Sequence, residues 1–189
     1  MDEAKLPRDL VQELLQAGKD GDVDKIRQLV REEGVDVNSR GNLDEGTKTY
    51  PVGTKTALML AAVHNHPDAI LALGALGANT EIATEESNFT AVTFAASSNA
   101  VTAIDALHEL GANLNNVDFL GWTPAKRAEK LGRFGALKKL NDLGGIAEEK
   151  KTIAKKHGFG GKPVPQKQDV KPDPTKKPPR KGWFGLGSR

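Results

Sequence analysis

Three segments of this chain repeat one another at intervals of 34 and 33 residues. They cover residues 56–65, 90–99 and 123–132, and each begins with Thr and ends with Asn or Gly. Asn and Gly adopt a left-handed backbone more readily than most residues, so each segment ends at a predicted turn. A period of this length indicates units that cannot bury an apolar face alone and therefore stack on their neighbours.

Apolar residues within a unit have helical spacing. One stripe runs from Leu58 to Ala62 and a second from Ile70 to Leu76, with a break between them that ends at Pro67. Proline is well placed in the first turn of a helix, so the pattern predicts two short helices joined by a turn. Alanine pairs at 61–62 and 95–96 would let neighbouring first helices approach closely.

These residues resemble the ankyrin repeat, whose pattern includes Asp-x-x-Gly-x-Thr-Pro before the first helix and Gly-Ala-Asn after the second. The first motif occurs at 118–124, and the second begins at Gly77 and at Gly111. Residues 17–38 look like a first repeat with an opening helix at 9–17. The resemblance implies an all-α ankyrin-repeat solenoid of helix–turn–helix units with β-turn fingers, over residues 8–145.

The predicted boundaries follow from the positions of these motifs. They are repeat 1 at about 8–38, an insertion at 39–53, repeat 2 at about 54–81, repeat 3 at about 88–115, repeat 4 at about 121–145, a capping helix at 146–157 and a basic tail rich in Pro and Gly at 158–189. The family's turn histidine is replaced by Met59, Thr93 and Lys126, which predicts a looser stack. The insertion contains Tyr50 and is either a binding loop or a tolerated surface insertion.

Charge is divided unevenly along the chain. Residues 146–189 hold 12 Lys and Arg against 4 Asp and Glu, a net of +8, whereas residues 1–145 hold 15 against 21, a net of −6. This asymmetry predicts two surfaces with different partners. The cysteine count is zero, which excludes disulfides and a cysteine nucleophile and is typical of a reducing compartment.

Targeting and catalytic signals are weak. The first residues lack a secretory apolar run and no stretch reaches membrane-spanning length, so we expect a cytoplasmic protein, with the cytoskeleton and nucleus as alternatives, that is neither secreted nor inserted in a membrane. His64, His66 and Asp68 are close in sequence, but His66 stands where the ankyrin pattern itself has His. We therefore predict no metal site, cofactor or enzymatic activity.

Ankyrin repeats recognise partners through their finger tips and first helices, and the resemblance implies a protein-binding face here. Its predicted residues are Lys55, Leu60, Phe89, Phe94, Trp122 and Arg127. Phe89 and Trp122, at finger positions, are expected to be exposed. Leu60 and Phe94 lie either in the interface or between the alanine-rich helices, and the sequence leaves both readings open.

The C-terminal arm adds a second set of candidates. It has a basic cluster of Lys176, Lys177, Arg180 and Lys181, followed by an apolar group of Trp183, Phe184 and Leu186. We interpret the chain as a non-catalytic adaptor or scaffold subunit that binds one or more proteins in a larger complex. The alternative is a tether to an acidic polymer, either an acidic protein surface such as tubulin or, less favoured, nucleic acid.

Overall fold

The computed structural model describes residues 7–43 and 54–147, which form eight α-helices in consecutive pairs. The helices are α1 (Pro7–Asp20), α2 (Val23–Arg31), α3 (Ala57–Val63), α4 (Pro67–Ala75), α5 (Ala91–Ser98), α6 (Val101–Glu109), α7 (Pro124–Lys130) and α8 (Phe134–Asp142). The odd-numbered helices contact one another in one layer, the even-numbered helices in a second, and each pair joins the two layers. The predicted all-α repeat architecture is confirmed for the described residues.

The turns between paired helices occur at the predicted positions. Asn65, Asn99 and Gly132 have φ angles of 59°, 60° and 68°, so the three repeated segments end in the same left-handed conformation. Pro67 is the first residue of α4, as predicted. The sequence period therefore corresponds to one helix pair.

The two turn asparagines also join neighbouring repeats. Asn65 Oδ1 accepts a hydrogen bond of 3.0 Å from the backbone N–H of Ala103, in the first turn of α6. Asn99 Oδ1 accepts one of 2.8 Å from the N–H of Ala136, in the first turn of α8. Neither α6 nor α8 has a side-chain cap from its own N-cap residue. Each asparagine therefore caps the second helix of the following repeat.

A second ladder of hydrogen bonds runs along the bases of the fingers. In each case a side-chain oxygen accepts the backbone N–H of a residue in the following finger base, at 2.8 or 2.9 Å. The pairs are Asn38 with Asn79, Glu81 with Asn113, and Asn115 with Ile146. The ladder continues to Ile146, so the repeat geometry extends to the end of the described residues.

The inner first helices are almost wholly buried. The alanine pairs 61–62 and 95–96 have no exposed surface, which agrees with the close approach predicted for them. At the turns that lack the family's histidine, the hydroxyls of Thr56 and Thr123 accept the N–H of the residue three positions later, and Thr90 pairs with Thr93 at 3.2 Å. These bonds brace the turns in another way, and the looser stack stays a prediction.

Two predicted helix boundaries differ from the helices of the described residues. Helix α1 spans Pro7–Asp20, which is longer than the predicted 9–17. Within the added turn, Gly18 packs on Ala57 so closely that a Cβ there would lie 2.6 Å from the Ala57 carbonyl oxygen. Ile146 does not begin a capping helix: its N–H is held by Asn115, and its carbonyl accepts the Thr123 hydroxyl. The rest of that predicted helix and the 158–189 tail lie outside the described residues.

The two chain segments that flank residues 44–53 of the insertion are paired by backbone hydrogen bonds. Gly41 and Lys55 exchange two backbone hydrogen bonds of 3.0 and 2.8 Å in an antiparallel bridge. Arg40, next to this bridge, forms an exposed ion pair with Glu85 of the following finger, at 3.5 Å. Residues 44–53, which include Tyr50, lie outside the described residues.

Candidate protein-interaction site

The finger between α6 and α7 ends in a tight turn at residues 118–122. The Gly121 N–H donates to the Asp118 carbonyl at 2.8 Å, and the Asp118 N–H donates to the Trp122 carbonyl at 3.0 Å. One oxygen of the Asp118 carboxylate also accepts the N–H groups of Leu120 and Trp122, at 2.8 and 3.0 Å. The side chain of Asp118 thus takes up backbone donors that the turn would otherwise leave unpaired.

The second carboxylate oxygen of Asp118 binds Arg127 on α7. Asp118 is fully buried, and Arg127 Nε donates to its Oδ2 at 2.8 Å while a second guanidinium nitrogen contacts the same oxygen. The guanidinium carbon lies 4.1 Å from the centroid of the Phe89 ring and 5.5 Å from that of the Trp122 ring. This arrangement fixes the finger to the first helix of the last repeat by an ion pair and cation–π contacts.

Two large apolar side chains project from this rigid turn. Phe119 is 53% exposed and Leu120 is 43% exposed, and Trp122 beside them is half-buried. The Phe119 N–H donates to the Ser87 carbonyl of the preceding finger at 3.1 Å, so the tip is also tied to its neighbour. Since a fixed backbone loses little conformational freedom on binding, the tip is preorganised to bury these side chains against another molecule.

Large exposed apolar side chains are concentrated in one part of the molecule. Among the described residues they all fall between positions 119 and 146: Phe119, Leu120, Leu131, Phe134 and Ile146. The charge of the last repeat also differs from that of the two repeats before it. Residues 54–120 contain one Lys or Arg against seven Asp and Glu, whereas residues 121–145 contain six against two.

Comparison of the sequence with known proteins agrees with this helical repeat geometry. The family profile "Ankyrin repeats (3 copies)" matches residues 9–118, more than half of the chain. The chain belongs to the ankyrin repeat family. An 88-residue stretch is also 36% identical to the glycerophosphocholine phosphodiesterase GDE1 of Candida albicans, covering 47% of this chain. It spans only 8% of that protein, so the similarity is one of ankyrin repeats.

Helices α7 and α8 form a fourth helix pair, which lies beyond the residues that the profile matches. Its α7 carries Lys126, Glu129 and Lys130 on partly or fully exposed positions, which is typical of a terminal repeat with one side open to water. Lys126 Nζ donates to the Glu129 carboxylate at 2.7 Å. This hydrogen bond and the charge of Lys126 lower the pKa of the Glu129 carboxyl below its ordinary value.

The structure brings four of the predicted ankyrin-face residues together, but as an internal cluster. Phe89, Phe94, Trp122 and Arg127 are linked through the Arg127 guanidinium and a T-shaped contact of 5.4 Å between the two phenylalanine rings. The expected exposure of Phe89 was wrong, because Phe94 and Arg127 cover its ring and leave it 2% exposed. Trp122 is only partly exposed, and Arg127 is held by Asp118 rather than standing free at the margin.

The remaining predicted residues lie apart from this cluster. Leu60 is buried and, like Phe94, corresponds to the core alternative rather than to an open surface. Lys55 lies at the base of the insertion with its side chain partly exposed. Tyr50, the basic residues Lys176, Lys177, Arg180 and Lys181, and the apolar residues Trp183, Phe184 and Leu186 lie outside the described residues. Their binding roles stay predictions.

Sequence reasoning missed the exposed residues of the last finger and last repeat. The signal for Phe119 and Leu120 was present, because they are the middle residues of the Asp118–Gly121 turn, where side chains point away from the chain reversal. Phe134 occupies the first position of α8, where the inner repeats have Pro67 and Val101. Comparing equivalent positions across the ankyrin repeats would have identified it.

The two histidines between α3 and α4 contact each other, and one of them packs on the preceding repeat. The His64 and His66 rings are stacked with their centroids 6.4 Å apart, and His66 packs so tightly on Gly21 that a Cβ there would lie 2.7 Å from the ring. Within residues 7–43 and 54–147, no group of three or more potential ligands is placed to hold a metal ion. In the same ranges, no helix has the length and apolar character needed to cross a bilayer.

Proposed function

We propose that this chain is a non-catalytic adaptor or scaffold subunit that binds a protein partner through the last finger and the adjoining first helices. Ankyrin repeats are generally protein-interaction modules, which supports the general class. The observation that carries the specific proposal is that the large exposed apolar side chains of the described residues lie within 119–146, with Phe119 and Leu120 on the hydrogen-bonded turn at 118–122.

The energetics of an interface favour this tip as its centre. Large apolar residues that are held rigidly in the free protein contribute most when they are fully desolvated by a partner. Trp122, which is half-buried, and Arg127, which binds Asp118, would hold the tip in place without being the main contacts with the partner. The C-terminal arm, with Trp183, Phe184 and Leu186, supplies a second binding segment in this proposal.

The test compares affinity purifications with the full-length chain and two surface variants. The double variant Phe119→Ser with Leu120→Ser should reduce recovery of the finger partner by at least about tenfold. Phe134→Ser, which removes an exposed phenyl ring at the other end of α7, is the matched control and should leave this partner bound. Circular dichroism of all three proteins checks that the fold is intact.

Deletion of residues 182–189 should remove a different partner and leave the finger partner in place. Equal recovery of every partner by the wild type, the finger variant and the deletion would contradict the proposal. The tether to an acidic polymer depends on Lys176, Lys177, Arg180 and Lys181 and stays a prediction. It requires binding that falls steeply as salt concentration rises.

A further inference from the structure

The turn between α7 and α8 carries a second exposed apolar pair. Leu131 follows the last residue of α7 and is 46% exposed, and Phe134 begins α8 and is 74% exposed. Leu137, three residues further along the same helical face, is half-buried. The pair lies at the opposite end of the seven-residue α7 from the finger, a separation of about 10 Å along the helix axis.

The equivalent position of the preceding repeat is partly covered by the repeat that follows it. Val101, which begins α6, packs against Gly135 of the following repeat so closely that a Cβ on Gly135 would lie 3.2 Å from its Cγ2. Phe134 is the corresponding residue of the last repeat, and no described residue covers its ring in that way. The last repeat thus has a larger apolar side chain than Val101 at a position where the repeat geometry leaves one face open.

Basic groups surround this apolar pair. Residues 130–139 contain four Lys and Arg and no Asp or Glu. Lys139 pairs with Asp105 at 3.0 Å, and Arg133 Nε donates to the Ser97 carbonyl at 2.9 Å. Lys130 and Lys138 are exposed, and neither amine is in an ion pair with another described residue. Because Lys138 lies four residues after Phe134, its side chain is on the same helical face.

We propose that this surface, the basic turn patch of Lys130, Leu131, Phe134 and Lys138, binds an acidic segment of a partner protein that carries a bulky apolar residue. The phenyl ring and the leucine would bury the apolar residue, and the two unpaired amines would attract the flanking carboxylates. Charge complementarity favours this occupant, since both charged residues of the patch are basic and the neighbouring Glu129 carboxylate is paired with Lys126. Together with the finger, it lets one repeat hold two partners at once.

The test selects random dodecapeptides displayed on phage against the full-length chain. The expected result is enrichment of peptides with several Asp or Glu and at least one Leu, Phe or Trp. A selected peptide, synthesised with a fluorescent label, should bind at least tenfold more weakly to Phe134→Ser than to the wild type. The finger variant Phe119→Ser is the matched control and should bind it unchanged.

A second pair of substitutions keeps the test independent of any loss of folding. Lys130→Gln with Lys138→Gln should leave the apolar pair in place but flatten the decrease of affinity with salt. The proposal is overturned if no acidic peptides are enriched, or if the selected peptides bind Phe134→Ser as tightly as the wild type. It is also overturned if the patch mediates a dimer in sedimentation that Phe134→Ser dissociates, or if an oligonucleotide is the tighter ligand.

Discussion

Helix α5 of an inner repeat and helix α7 of the last repeat occupy equivalent places but have different surroundings. Every residue from Ala91 to Ser97 of α5 is buried, and the helix carries no charge. In α7, Arg127 takes the place of Phe94, and Lys126, Glu129 and Lys130 reach the surface. An inner helix has a neighbour on each side, so its side chains serve the stack, whereas the last helix has an open side.

The two regions differ in the same way beyond the helices. The inner part, residues 54–120, is acidic and exposes large apolar side chains only at its last two positions, Phe119 and Leu120. Residues 121–145 are basic and expose Leu131 and Phe134. Among the described residues, large exposed apolar side chains therefore lie in and after the last finger, where fewer neighbouring repeats remain to cover them.

The comparison predicts that a Phe→Ala substitution lowers stability strongly in the inner region and only slightly in the last repeat. Phe94→Ala empties a fully buried position and should lower the free energy of unfolding by about 3–5 kcal/mol. Phe134→Ala removes the same ring from an exposed position and should change it by less than about 0.5 kcal/mol. Urea unfolding followed by circular dichroism measures both. A large loss at Phe134 would show that the last repeat is as tightly packed as the inner ones.

The finger that contains Asp118 and the finger that contains Glu85 give the next largest contrast in the free energy of unfolding. Asp118→Ala leaves the guanidinium of Arg127 without its partner and two finger N–H groups without an acceptor, and should cost about 3 kcal/mol. Glu85→Ala breaks an exposed ion pair with Arg40 and should cost less than about 1 kcal/mol. Urea unfolding checks the values, and loss of near-ultraviolet signal from Trp122 should accompany only the first change. Equal costs would refute the anchoring role of Asp118.

The repeat could be predicted from the sequence because its signals are local. The period, the left-handed turns at Asn65 and Asn99 and the start of α4 at Pro67 all depend on a few adjacent residues with strong conformational preferences. Burial of Phe89 could not be predicted in this way. It depends on Arg127, which is 38 positions later and is turned towards the ring by Asp118.

The finger-base ladder shows a second limit of sequence reasoning. Its acceptors are Asn38, Glu81 and Asn115, so one structural role is filled by different residue types and does not appear as a repeated letter. The same ladder holds Ile146, the first residue of the predicted capping helix. Positions defined by geometry between repeats, rather than by local preference, were the ones that the sequence did not reveal.

The smallest expected effect concerns an ion pair that only the open side of α7 permits. Lys126 lowers the pKa of Glu129, so the ionised carboxylate is favoured in the folded chain, and its contribution to stability is present at neutral pH. That contribution should be lost as pH falls through the lowered pKa, where Glu129→Gln and the wild type become equally stable. Unfolding midpoints at neutral and acidic pH measure the difference, with Glu109→Gln on inner helix α6 as the exposed control. If the unfolding midpoints of Glu129→Gln and the wild type still differed at acidic pH, the prediction would be contradicted. Packing, and not charge, would then distinguish this position from its buried counterpart Ala96.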